Sequence, residues 1–239
     1  MVALIRSLVR TAAFLTLVIG QLTALAQEDR AQPLRAQELW SSVGIQGRLP
    51  ELFEDLLGKD TYKRFRLAGE LGYRSADTFF AGRQVYTDLS ARYKVNKHLN
   101  FVGEHRFAFR PDGPTRQRTG VMANLGTSWQ RFDLGYRFNY QHNYRDFGEQ
   151  REILRNKVSV EYNIRKFKLD PEVSVEFFTW LGHQGARYIG TRYSIGTEWN
   201  PSKPHSIGLK LVHDREYGVA WPTYRWIYSL SYTLNLRDI

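Results

Sequence analysis

The chain contains no cysteine. This absence excludes disulfide bonds, thiolate metal sites, a cysteine nucleophile and lipidation of an N-terminal cysteine. Long apolar runs are also missing beyond the N-terminal region, where no segment approaches the about 18 consecutive apolar residues of a transmembrane helix. If the mature chain meets a membrane, we therefore expect it to cross with strands.

The N-terminal region has the three parts of a secretory signal peptide. Arg6 and Arg10 precede an apolar run over residues 11–20, and Ala24-Leu25-Ala26 supplies small residues before a cleavage site. The apolar run is too short for an anchor, which must cross about 30 Å of hydrocarbon. We predict a cleaved signal peptide over residues 1–26, an N-terminal extension over 27–36 and one domain over 37–239.

Positive charge dominates, with a formal net charge of +10 and a pI near 9.8. Such a balance indicates an anionic partner. Export makes nucleic acid a poor candidate, which leaves lipopolysaccharide phosphates, anionic solutes or ion pairs within the protein.

Alternation of apolar and polar residues is the clearest pattern in the chain. Every second residue from Phe132 to Tyr140 is apolar or aromatic, and the residues between them are polar or small. The same pattern extends from Thr223 to Arg237. Successive side chains of a strand point to opposite faces, so these segments have one lipid-compatible face and one wet face. The pattern predicts an all-β, transmembrane, antiparallel up-and-down outer-membrane barrel over residues 37–239. We expect a monomer in the bacterial outer membrane that contacts lipid and lipopolysaccharide, and the barrel-assembly machinery during biogenesis, without a cofactor or metal.

The number of strands does not follow directly from the pattern. A count along the sequence gives about eleven, whereas bacterial single-chain barrels close with an even number. We therefore expect about twelve strands, with ten as the alternative, and place the uncertainty at Leu39–Leu49. The spacing of apolar residues predicts a short amphipathic helix near residues 50–58.

The sequence resembles a bacterial family of outer-membrane proteins catalogued as domain of unknown function 2490, over nearly the whole mature chain. The motifs that support the resemblance are Leu39-Trp40 with Val43 and Ile45, Glu70-Leu71-Gly72-Tyr73-Arg74, Glu104-His105-Arg106, Gly135-Tyr136-Arg137-Phe138 and Arg155-Asn156-Lys157. The resemblance implies a barrel and implies no particular activity or substrate.

Charged residues concentrate on the inward face of the predicted strands. The arginines expected to line the lumen are Arg64, Arg66, Arg74, Arg92, Arg106, Arg137, Arg155, Arg165, Arg192 and Arg225. The expected acidic partners are Glu70, Glu104, Asp133, Glu161, Glu176 and Glu198. These charges either cross-link the strands and fill a narrow lumen, or form a porin-like passage or pocket selective for small anions.

Aromatic residues lie where the predicted strands end. An aromatic ring suits the membrane interface, since its apolar body faces lipid while one edge stays wet. The residues expected in this interfacial girdle are Trp129, Phe132, Phe167, Trp199 and Trp226.

Two alternative functions remain open. A lipid hydrolase would need a nucleophile hydrogen-bonded to a histidine. By parity His105, His142 and His213 fall on the outward face near the presumed extracellular ends, but no serine is evident at matching parity and height, so no catalytic residue is assigned and no enzyme is expected. The other alternative is a secreted soluble barrel that binds a small apolar ligand, with its apolar face inward.

Overall fold

The computed structural model describes residues 32–76, 79, 81–144, 150–165 and 169–236, and these form a closed β-barrel of eleven strands. The predicted signal peptide lies outside the described residues. The strands are β1 (Leu34–Arg48), β2 (Phe65–Ser75), β3 (Gly82–Lys94), β4 (Leu99–Phe109), β5 (Arg116–Trp129), β6 (Phe132–Asn143), β7 (Glu152–Tyr162), β8 (Leu169–Gly182), β9 (Gly185–Ser202), β10 (His205–Glu216) and β11 (Thr223–Asn235).

The connection between β1 and β2 is helical. It consists of a 3₁₀ turn (Glu51–Phe53) and two single-turn helices, α1 (Glu54–Leu57) and α2 (Lys59–Tyr62). This confirms the short helix predicted near residues 50–58. Tyr62 is buried and donates a hydrogen bond of 2.9 Å to the carbonyl of Leu49, which fastens the segment to the end of β1. Within the described part of the chain, no helix is long and apolar enough to cross a membrane.

The barrel closes through one parallel pair. Sequential strands from β1 to β11 pair antiparallel, and β1 then pairs parallel with β11, with Trp40 opposite Ser229. The predicted fold class is confirmed, but the expected twelve or ten strands is replaced by eleven. An odd number of alternating strands leaves the first and last strands running in the same direction, so they can pair only in parallel. Because β1 and β11 do pair in parallel, the even-number rule does not apply here. The segment at which the uncertainty was placed, Leu39–Leu49, supplies residues 39–48 of β1.

The two ends of the barrel differ in their connections. One end, called the turn end, has short joins such as residues 130–131 and 203–204, and the other, called the loop end, has longer joins such as 110–115 and 217–222. The connection after Gly182 is an exception at the loop end. Strands β8 and β9 are paired as far as Gly182 and Gly185, so the connection between them is only two residues long.

The outer surface has an apolar belt. Ten of the eleven strands expose at least one large apolar side chain on it, and the apolar residues of β7 are half-buried. Representatives, one from each of the ten strands, are Val43, Leu67, Leu89, Phe101, Val121, Leu134, Val173, Ile195, Leu209 and Leu230. The alternating partners of these residues face the lumen and are mostly polar. A soluble barrel binding an apolar ligand needs the reverse arrangement.

Candidate functional site

Arginines from seven strands meet in the middle of the lumen. We call this set the arginine layer: Arg74 (β2), Arg106 (β4), Arg118 (β5), Arg137 (β6), Arg155 (β7), Arg192 (β9) and Arg225 (β11). The layer forms because each residue lies at an inward position of its strand and the barrel register brings these positions to similar heights. Carboxylates from the intervening strands reach the same level.

Strand register explains one half of the layer. Arg225, Asp214, Arg192 and Glu176 are successive cross-strand partners on β11, β10, β9 and β8. The Arg192 Nε lies 3.1 Å from Asp214 Oδ1, and an Arg225 nitrogen lies 3.7 Å from the other Asp214 oxygen. Opposite charges directly across a strand pair stabilise a sheet by about 0.2–1 kcal/mol each. The alternation of sign therefore supports the pairing of these four strands.

Glu176 is the anionic centre of this half. Its side chain is 5% exposed, and it accepts hydrogen bonds from Arg137 Nη2 at 3.0 Å and Arg155 Nε at 3.1 Å. A third guanidinium, that of Arg192, lies 3.8 Å away. A buried carboxylate is retained only when such partners compensate its lost hydration. Glu176 thus joins β6, β7 and β9 to its own strand.

Two further ion pairs complete the other half. Arg106 forms a bidentate pair with Asp88 through Nε and Nη2, with the Nε to Oδ1 distance at 2.6 Å. Arg118 Nη2 lies 2.8 Å from Glu104 Oε1. Both pairs are formed between adjacent strands, so they cross-link the wall.

Glu38 anchors the loop-end side of the layer. It is fully buried, accepts two hydrogen bonds of 2.8 Å from Arg83 and lies 3.2 Å from Arg225 Nε. The Trp40 indole Nε1 donates to the same carboxylate at 2.7 Å. Glu38 therefore holds the Trp40 ring in place inside the lumen.

Aromatic rings separate several of the guanidinium groups. Arg74 Cζ lies 3.9 Å from the Trp40 ring centroid, and Arg192 Cζ lies 5.3 Å from the same centroid. Tyr86 lies between Arg74 at 5.0 Å and Arg106 at 3.9 Å. These contacts narrow the lumen on the side of β1–β3 and add cation–π stabilisation.

A cavity of about 360 Å³ occupies the middle of the lumen. Six arginines of the layer line it, together with the polar side chains of Glu104, Asn139 and Gln141 and the apolar side chains of Trp40, Met122, Ile153 and Phe178. Two other cavities lie toward the ends. A cavity of about 490 Å³ at the loop end shares Arg192 and Phe178 with the central one, and a cavity of about 530 Å³ at the turn end is lined by Asp133, Glu161 and Glu172.

The arginines predicted to line the lumen fall into three groups. Those in the layer are Arg74, Arg106, Arg137, Arg155, Arg192 and Arg225. Arg66 and Arg92 are cross-strand partners near the turn end. The prediction is wrong for Arg64 and Arg165, because both lie exposed in turns outside the strands. Arg64 Nη1 donates a hydrogen bond to the carbonyl of Val95.

The predicted acids also divide between levels. Glu104 and Glu176 belong to the layer, while Glu70 accepts a hydrogen bond of 2.7 Å from the Tyr86 hydroxyl. Asp133 and Glu161 are cross-strand partners at the turn-end cavity, and Glu198 is an exposed residue of β9. The acids predicted to share one lumen surface therefore lie at different heights.

The predicted aromatic girdle occupies both ends. Trp129, 62% exposed, and the exposed Trp199 lie at the turn end, where Trp129 stacks on Phe132 with 6.2 Å between centroids. Trp226 lies three residues from the loop end of β11 and stacks on His213 at 4.5 Å. Phe167 lies outside the described residues.

Arg118 and Trp40 belong to the central site and were not predicted from the sequence. Arg118 has the inward parity set by the outward residues Val121 and Leu125 of β5, and this signal was present in the sequence. Trp40 was left unplaced because the role of β1 in closing the barrel was not evident. Its lumen position follows from its pairing with Arg74 on β2.

A second polar group lies on the outer surface at the loop end. Cross-strand pairing aligns His105, Thr119, His142 and Glu152 on β4–β7. His105 Nδ1 lies 2.8 Å from Thr119 Oγ1, and His142 Nδ1 lies 3.0 Å from Glu152 Oε1. The threonine hydroxyl that His105 contacts was not predicted, because only serine was considered as a nucleophile.

Comparison with known proteins identifies a family. No curated protein matches the chain. The family described as Protein of unknown function (DUF2490) matches residues 37–221, a range that extends from β1 to the loop before β11 and includes six arginines of the layer. The chain therefore belongs to the DUF2490 family.

Proposed function

We propose that this protein is a bacterial outer-membrane β-barrel whose lumen is a narrow passage for small anions. The observation that carries the membrane assignment is the apolar belt. Soluble monomers rarely expose a continuous apolar patch of more than a few hundred Å², and here the belt encircles the barrel. Aromatic residues at both ends fit the interfacial girdle of such barrels.

The lumen supports the second half of the proposal. Eight-stranded barrels are filled by side chains and barrels of 16–18 strands enclose wide channels, so eleven strands leave space for a restricted path. Cavities are present at the middle and toward both ends. Rings of arginine favour anions, and the arginine layer lies at the middle.

Membrane association is tested by extraction. The protein is expected in the membrane fraction, with a gel mobility that changes when it is heated in detergent. Release into buffer without detergent would contradict the assignment.

Passage is tested in planar bilayers under a salt gradient. Wild-type protein should give small, anion-selective currents, because six arginines line the middle of the lumen. Replacing Arg137 and Arg192 together by alanine should reduce the selectivity, and Trp40→Ala should raise the conductance by removing the ring that narrows the lumen. Arg92→Ala, at the turn end, is the matched control. Wild type and all variants remaining closed would argue against a passage.

The outer polar group supports a second candidate, hydrolysis of acyl esters in outer-leaflet lipid. In this reaction Thr119 Oγ1 would attack the ester carbonyl as His105 Nδ1 accepts its proton, and the alkoxide leaving group would take that proton back. Water would then release the acyl group from Thr119 as the free acid. The hydrogen bond of 2.8 Å between Thr119 and His105 is the supporting observation.

This candidate is tested by lipid analysis of cells with and without the protein. Thr119→Val removes the hydroxyl while nearly preserving shape and should abolish deacylation. Thr87→Val, at an outward position of neighbouring β3, should leave it unchanged. Equal lipid profiles in cells with and without the wild-type protein would end the hydrolase hypothesis.

A further inference from the structure

Arg74 differs from the other arginines that line the central cavity. Each of the other five contacts a carboxylate: Arg106, Arg118, Arg137, Arg155 and Arg192 pair with Asp88, Glu104, Glu176 or Asp214. Among the residues that the structure describes, no carboxylate lies within ion-pair distance of the Arg74 guanidinium. Its neighbours are aromatic rings.

The aromatic contacts leave the donors of Arg74 available. A guanidinium is planar, so it stacks on rings through its faces and donates hydrogen bonds from its edge. The Trp40 ring centroid lies 3.9 Å and the Tyr86 ring centroid 5.0 Å from Arg74 Cζ. Glu38 holds the indole of Trp40. Arg74 is therefore positioned by aromatic rings, and its Nε has no hydrogen-bond partner among the described residues.

The arginines around the cavity carry nitrogens that the protein leaves unpaired. Several buried guanidinium nitrogens have no hydrogen-bond partner among the described residues, and four of them belong to arginines that line the cavity: Arg74 Nε, Arg106 Nη1, Arg118 Nε and Arg137 Nε. An unpaired buried donor is costly. The contacts of these arginines therefore leave part of their hydrogen-bonding capacity unused.

The charge of the cavity indicates an anion. Six guanidinium groups line it, and the carboxylates paired with them are the four of Asp88, Glu104, Glu176 and Asp214. The lining arginines therefore exceed these carboxylates by two positive charges. Asp214 is also shared with Arg225, which does not line the cavity. A volume of about 360 Å³ is near the lower limit for ligand pockets, which excludes large oligosaccharides.

We infer that the central cavity binds one small oxyanion, of the phosphate or carboxylate type, and that Arg74 is its principal contact. Planar guanidinium groups match the paired oxygens of an oxyanion, whereas a halide presents one point charge. The inference rests on the proposed anion passage for its physiological role and names the class of anion that the passage selects.

Binding is tested by calorimetric titration of the full chain in detergent with inorganic phosphate, succinate and chloride. We expect about one phosphate or succinate per barrel, bound at least tenfold more tightly than chloride. Arg74→Gln should weaken oxyanion binding at least tenfold. Arg74→Lys keeps the charge but loses the planar fork, so it should also weaken binding. Arg92→Gln should bind as wild type does.

The variants also separate binding from folding. Arg74→Lys retains a cation beside Trp40, and unchanged heat-dependent gel mobility would establish that it is folded. Oxyanion binding that is unchanged in both Arg74 variants, or no tighter than chloride binding, would overturn the inference. Binding that depends on Arg74 in a barrel without conductance would support the site and defeat the passage. Anion conductance without oxyanion binding would support the passage and contradict the binding site.

Discussion

Arg74 and Trp40 are direct cross-strand partners on β2 and β1, and the guanidinium carbon lies 3.9 Å from the indole centroid. The contact couples the strand that closes the barrel to the charged lumen. Because Trp40 Nε1 also donates to buried Glu38, the indole is held from one side while Arg74 contacts its ring. One tryptophan therefore both narrows the lumen and positions the arginine that has no carboxylate partner among the described residues.

Glu176→Gln should destabilise the barrel. The substitution removes the negative charge shared by Arg137, Arg155 and Arg192, whose side chains would then repel one another. Breaking a buried ion pair by removing one partner costs about 3 kcal/mol or more. The measurement is the urea midpoint for unfolding in detergent. The exposed Glu198→Gln is the control, and equal midpoints for the two variants would contradict the role of Glu176.

Gly72→Ala should disturb the Tyr86 ring. A Cβ atom at Gly72 would collide with Tyr86 Cζ, so the ring must leave the position in which it contacts Arg106 and Glu70. Overpacking of this kind costs about 1–3 kcal/mol. Gly103→Ala is the control, since a methyl group there would have no described atom within 4 Å beyond its chain neighbours. A Gly72→Ala variant as stable as Gly103→Ala would show that the ring adapts freely.

Leu230→Arg should impair insertion into lipid. Leu230 is 47% exposed on the apolar belt near the middle of β11. An arginine on the lipid face costs about 2–4 kcal/mol at the midplane and about 0–1 kcal/mol near the interface. Leu236→Arg, just after the end of β11, is therefore the matched control. Folding into lipid vesicles, followed by gel mobility, should fail or slow only for Leu230→Arg, and equal folding of both would argue against a membrane-facing belt.

A double substitution, Ser42→Cys with Ser231→Cys, should trap the closure of the barrel. The two serines are cross-strand partners in the parallel β1–β11 pair, where Cα atoms lie about 5 Å apart, within the range of a disulfide. The native chain has no cysteine to interfere. Oxidation should give a cross-linked species on gels.

Ser42→Cys combined with Thr223→Cys tests the register of that pair. Thr223 is paired with Leu34 at the other end of the contact, so the two sulfurs would be about 25 Å apart at about 3.3 Å per residue. No cross-link should form. Cross-linking of this control, or none in the Ser42 and Ser231 variant, would contradict parallel closure.

The sequence by itself determined which residues face outward and which face the lumen. Side chains alternate along any strand, so a local pattern such as Phe132 to Tyr140 predicts its own two faces without knowledge of neighbouring strands. The barrel class and the helix near residues 50–58 were predicted on the same local grounds, and short local motifs carried the family resemblance.

Tertiary structure alone decided how the strands close and which charges meet. Parallel pairing joins β1, the first strand, to β11, the last strand. No local sequence pattern encodes this pairing. The pairing of Glu176 with Arg137, and the absence of a carboxylate near Arg74 among the described residues, depend on register around the whole barrel. Register is set by contacts between distant segments, so the sequence supplied the charges and closure of the barrel selected their partners.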